Sequence, residues 1–135
     1  MGDDRQCGMN YRREVPVDPL VVEAGWKGTS PERIRELAQH EFSSIREVVA
    51  KRDDLPDDVA VMLANDPNVY VREQVAKRPV LPAAAIERLA RDGDTKNRYL
   101  IASRRDLPVL VVCQMWHDPE RAVVEELRRS QVSDP

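Results

Sequence analysis

The chain is 135 residues long, 33% of its residues are charged, and its formal net charge is −3 at neutral pH. That length fits one domain, and the slight acidity argues against general nucleic-acid binding, although a local basic stripe stays open. Two cysteines, Cys7 and Cys113, cannot build a disulfide framework, aromatics at 4% leave the core to aliphatic side chains, and the longest apolar run, Leu107 to Cys113, is too short to cross a bilayer.

Residues 1–14 are polar and carry Gly2 and Gly8, which predicts a flexible head. Their opening, MGDDRQCGMN, lacks the apolar stretch of a signal peptide, so a cytoplasmic location is expected. Gln6 stands where a myristoylation motif after Met1-Gly2 needs Ser or Thr. Residues 15–29 differ in kind. Asp18 is suited to cap a short helix with Pro19 in its first position and Gly25 at its close. This segment is expected to be half a repeat that covers the exposed end of an array, with Trp26 packed over the first full copy.

From residue 30 the chain repeats. Leu55-Pro56, Leu81-Pro82 and Leu107-Pro108 stand 26 residues apart, and Ser30-Pro31 falls one step upstream. The same step aligns Leu37, Leu63, Leu89 and Met115; Ile34, Ala60, Ile86 and Val112; Ile45, Val71, Asn97 and Val123; and Val49, Val75, Ile101 and Leu127. Ala38, Ala64 and Ala90 align, as do Ala50, Ala76 and Ala102, and so do Arg46, Arg72 and Arg98. A fixed period of this size is the signature of a solenoid or array. Each period holds two helices, in the second copy over Pro56–Ala64 and Val69–Lys77, broken at Asp66-Pro67 and ended before Pro79. Helices this short are unstable alone in water and must bury their apolar stripes against neighbouring copies. The alanine columns let backbones approach. Asp66 with Arg72, and Asp92 with Arg98, read as a structural ladder in which a carboxylate binds the guanidinium of a neighbouring copy; an arginine stripe offered to a phosphate or an acidic partner is the alternative.

The pattern of Leu55 to Pro82, LPDDVAVMLANDPNVYVREQVAKRPVLP, resembles the leucine-rich repeat variant family and, more distantly, HEAT-type repeats. The resemblance covers roughly residues 30–129. It implies an all-α fold, a right-handed α-solenoid of about four two-helix repeats between terminal caps, with residues 130–135 as a flexible tail. Members vary in function, so the likeness bears on fold more than on role. Some carry a cysteine-rich iron–sulfur module, which a chain with only Cys7 and Cys113 is not expected to have.

Taken in order, the first copy replaces the ladder aspartate with His40, a group that could accept from Arg46 when neutral. Arg52, Arg78, Arg104 and Arg105 follow the second helices, where the helix dipole favours cations; they also form a candidate basic edge. The third copy sets Asn97 in an apolar column and Tyr99 in a column otherwise held by Glu47, Glu73 and Glu125, which offers a rigid aromatic to a partner. The fourth copy turns apolar where others are polar or small, at Val109 and Leu110, and sets Trp116 in the alanine column. Trp116 is expected to end the stack, since a Trp there would overpack an interior copy. With Val109, Leu110 and Cys113 it forms either a cap or an apolar docking patch, which a homodimer would use twice.

No glycine-rich phosphate loop, HExxH, GxSxG or CxxC occurs. Cys113 and His117 share a helix face, but a zinc site needs three or four ligands. The expectation is a non-enzymatic protein–protein interaction module with no catalytic residue, cofactor or metal. Binding would use Tyr99, Val109, Leu110, Cys113 and Trp116. The alternative is a nucleic-acid binder with a groove built from Arg46, Arg72, Arg98, Arg52, Arg78 and Arg104.

Overall fold

The computed structural model describes residues 18–132, which form nine helices and no strand. A capping helix, α1 (Pro19–Gly25), precedes four pairs. These are α2 (Pro31–Leu37) with α3 (Ser43–Ala50), α4 (Asp57–Ala64) with α5 (Val69–Ala76), α6 (Ala83–Leu89) with α7 (Thr95–Ala102), and α8 (Val109–Met115) with α9 (Arg121–Gln131). No helix among the described residues is long and apolar enough to cross a membrane.

The prolines set where the first helices begin, one residue later than the repeat suggests. Pro56, Pro82 and Pro108 are N-caps with φ of −64°, −66° and −62° and extended ψ, and the helix starts at the next residue. The pyrrolidine ring fixes φ at a value that serves the cap as well as the first turn, and the prolyl carbonyl accepts the first helical bond, from Ala60 at 3.0 Å in α4. Where a polar cap precedes the proline, the proline moves into the first turn: Asp18 accepts from the Leu20 N–H and Ser30 from the Arg33 N–H, ahead of Pro19 and Pro31.

The helices lie in two rows. In one, α1, α3, α5, α7 and α9 each pack on the next; in the other α4 packs on α6, and each first helix packs on the second helix of its own copy. The core is the seam between the rows. Ile45, Val71, Asn97 and Val123 are fully buried in one column, and Val49, Val75, Ile101 and Leu127 in another. Ala24, one period before Ala50, is also fully buried, so α1 takes the place of a second helix and packs on α3 at this end of the described residues. Trp26 takes no part in this. It is 62% exposed and lies over Gly28 in its own loop, because Ala24 already fills the space at the end of the stack.

At the other end α9 runs two residues past the expected limit at 129. Ser130 donates to the Ala102 carbonyl, and Gln131 Nε2 to the Arg104 carbonyl at 2.6 Å, which ties this turn to the preceding copy. The flexible head expected over residues 1–14, the start of the cap over 15–17, and residues 133–135 of the tail lie outside the described residues.

Candidate protein-binding surface

Two arginine columns run along the stack. In the first, Arg46 Nε lies 2.7 Å from Asp66, Arg72 Nε 2.7 Å from Asp92, and Arg98 Nε 2.8 Å from Asp118. Each guanidinium therefore crosses to the aspartate of the following copy. Its Nη1 turns back to the carbonyl that opens its own turn, at His40, Asp66 and Asp92. Asp118 belongs to the ladder beside Asp66 and Asp92. Neither end of the ladder leaves an arginine or an aspartate without its mate. His40 would face position 20, which is Leu20, and Val124 stands one period after Arg98. The His40 ring does not accept from Arg46; its Nδ1 takes the Phe42 N–H at 3.0 Å, the local turn bond that Asp66 makes to the Asn68 N–H. No buried charge is left unpaired at either end, and an unpaired buried charge would be costly. Asp92 also accepts from Asn97 Nδ2 at 3.0 Å, which is how a polar side chain holds an apolar column, although Asn97 Oδ1 stays buried without a partner.

The second column is the expected basic edge, and most of it is turned inward. Arg52 is buried: Nη1 donates to the Ala24 carbonyl at 2.6 Å, while Nε and Nη2 grip Asp54 at 2.8 and 3.1 Å. Arg104 repeats this with the Arg78 carbonyl through Nη1 and with Asp106 through Nε and Nη2, both at 2.8 Å. These arginines satisfy orphan carbonyls at the C-terminal ends of the second helices. They are structural and carry no open rim. The paired arginines hold the Asp54 and Asp106 carboxyls below the ordinary aspartate value. The Arg-x-Asp spacing at 52/54 and 104/106 is the sequence signal for this pairing. Arg105 is exposed, and Arg78 is half-buried with no carboxylate at ion-pair distance among the described residues.

The apolar residues of the fourth copy share the outer side of α8. Val109 is 75% and Leu110 79% exposed, Cys113 is exposed, and Trp116 is 41% exposed with the Arg128 guanidinium 5.8 Å from its ring centroid. The corresponding residues of earlier copies, Asp57 and Asp58, then Ala83 and Ala84, are exposed as well. The Val109–Leu110 surface is thus a face that no neighbouring copy covers. Trp116 is different: Ala38, Ala64 and Ala90 in its column are buried by the next copy. Beside it, His117 Nδ1 lies 3.1 Å from the Cys113 carbonyl.

Tyr99 is 38% exposed, and its hydroxyl donates to Glu126 at 3.0 Å. Its column lies at the junction between copies rather than in open solvent. One copy earlier Glu73 is buried, 2.9 Å from Lys96 of the following copy and 3.1 Å from Lys77. Tyr99 is therefore a bridge to α9 with one exposed edge; it stands on α7, in the other row of helices from Val109 and Leu110.

Stacked helix pairs, a seam core and an inter-copy ion-pair ladder define a short α-solenoid. The leucine rich repeat variant family model matches residues 71–94, from α5 through α6 to the cap of α7, so the chain carries that family's repeat. No curated protein and no solved structure matches the chain.

Proposed function

We propose that the chain is a non-enzymatic binding module that recognises a protein through the outer face of α8. The observation that carries this is the run of Val109, Leu110, Cys113 and Trp116 along one helix, exposed where the array itself has no use for apolar groups. Exposed apolar surface of this kind marks interfaces, and Trp116, with the Arg128 guanidinium 5.8 Å from its ring centroid, offers a large aromatic anchor. The matched repeat is of an all-helical kind that is not typically enzymatic. A second copy of the chain is one candidate occupant, which would pair the same patch about a two-fold axis.

The arginine-groove alternative finds little support. Of its six arginines, Arg46, Arg72, Arg98, Arg52 and Arg104 spend their guanidiniums on carboxylates and carbonyls inside the stack. The test is a photo-crosslinking residue placed at position 110 and, as control, at position 84. The expected result is a discrete crosslinked species, another protein or a second copy, from position 110 alone, and its loss when the double variant Val109→Ser, Trp116→Ala is added to the position-110 crosslinker, with helical circular dichroism unchanged. Equal capture from both positions, or retention in the double variant, overturns the reading.

A further inference from the structure

The inner-rim arginines follow a rule with one exception. Arg52 and Arg104 each use Nη1 on a backbone carbonyl, and each fills the Nε–Nη2 edge with the aspartate two residues on. At the last junction both members of the pair are absent together: Ser130 replaces the arginine and Val132 the aspartate. Only Arg78 breaks the pattern. Its Nη1 donates to the carbonyls of Ala50, at 3.0 Å, and Arg52, so the guanidinium is anchored like the others. Two residues on stands Val80, 77% exposed, and the Nε–Nη2 edge of Arg78 has no partner among the described residues.

We propose that Arg78 is a binding site for a carboxylate supplied in trans, by an aspartate or glutamate of a partner protein that docks on the junction between the first and second copies. A guanidinium fork held rigid by two carbonyls is pre-organised for bidentate recognition of a carboxylate, and the neighbouring junctions display the geometry with their own aspartates. The surroundings match such a side chain. Grooves of about 460 and 280 Å³ flank Arg78 on either side. Lys51, Lys77 and Arg105 add positive charge to them, and Pro79 and Val80 offer apolar contact to residues beside the acid. Asp53 and Asp106 line the same grooves. These would repel an extended polyanion but leave a single carboxylate room, which favours an acidic protein segment over a nucleic acid. The inference shares the protein-binding reading but uses a different surface from α8.

The experiment follows the Nε–H resonances of the full chain by NMR while it is titrated with three probes. One is a capped pentapeptide, Ala-Leu-Asp-Leu-Ala; the second is its asparagine counterpart; the third is a thymidine oligonucleotide. The aspartate peptide is expected to shift the Arg78 Nε–H and the nearby amides of Lys77 and Ser103, and the asparagine peptide to leave them in place. The decisive variant is Val80→Asp. It provides the missing carboxylate in cis, and so should raise the Tm at neutral pH while weakening the peptide at least about tenfold, the scale of one charge-assisted bidentate pair. Leu110→Ser, Trp116→Ala should bind the peptide as the parent does, which separates this site from the α8 face. The proposal is overturned if the aspartate peptide leaves Arg78 unshifted, if both peptides act alike, if Val80→Asp binds the peptide undiminished, or if only the oligonucleotide shifts Arg78.

Discussion

Asp92 gathers bonds from its own copy and the preceding one into one buried carboxylate. Its carboxylate accepts from Arg72, Arg88, Asn97 and the Asp94 N–H while fully enclosed. Replacing it by alanine leaves Arg72, only 14% exposed, without its counter-charge, and removing one partner of a buried pair is expected to cost about 3 kcal/mol or more. Urea unfolding of Asp92→Ala measures this. Arg121→Ala, which breaks the solvent-exposed Arg121–Glu125 pair, should cost under about 0.5 kcal/mol in the same assay. The rim pairs make a separate prediction about acid. Arg52 and Arg104 depress the folded-state pKa of Asp54 and Asp106, through hydrogen bonding first and charge second. A depressed carboxyl stabilises the fold above its ordinary value of 3.8 and loses that contribution as pH falls through the lowered one. The variants Asp54→Asn and Asp106→Asn should therefore unfold at lower urea than the parent at pH 7, and the gap should close at pH values well below 3.8.

At the scale of the element, seven- and eight-residue helices survive because small residues let them approach. Ala64 and Ala76 are 0% and 2% exposed, each at the contact with the next copy. Ala64→Leu should overpack that seam and lower stability by about 1–3 kcal/mol, whereas Trp116→Ala, in the same column but 41% exposed, should change thermal stability far less. Comparison of the two melting curves checks both. Most of this architecture was legible in the sequence, since burial in a stack forces the same residue types to recur every 26 positions. Helix order, the seam and the place of α1 in the row of second helices all follow from that recurrence. Side-chain direction does not. A basic residue after a helix reads the same whether it faces solvent or folds back onto carbonyls, so Arg52 and Arg104 looked like an edge. Trp26 invited a place in the core for its size, yet the alanine column had already closed the end of the stack. Tyr99 and Glu73 stand in a column that looks solvent-facing along one helix and turns out to be a junction once the next copy is in place.

For the whole molecule, division of labour follows from the two rows. One row and the seam hold the stack together, with every ion pair of the ladder confined to adjacent copies. The two proposed sites are both places where a copy departs from its siblings: α8, with apolar groups in place of acids, and the Arg78 junction, with a valine in place of an aspartate. Sequence deviation from the period is therefore the place to look for specificity in this chain, as the period itself is the place to look for stability.

The blunt ends of the ladder, His40 and Val124, bear on how such a molecule changes length. Every interior joint offers an arginine forward and an aspartate to receive one, so a duplicated unit spliced into the middle would find mates on both sides. One joined at the His40 or the Val124 end of the ladder would meet an imidazole or an isopropyl group and gain no ladder bond. Growth by internal duplication is thus built into the joinery, and growth by addition is discouraged.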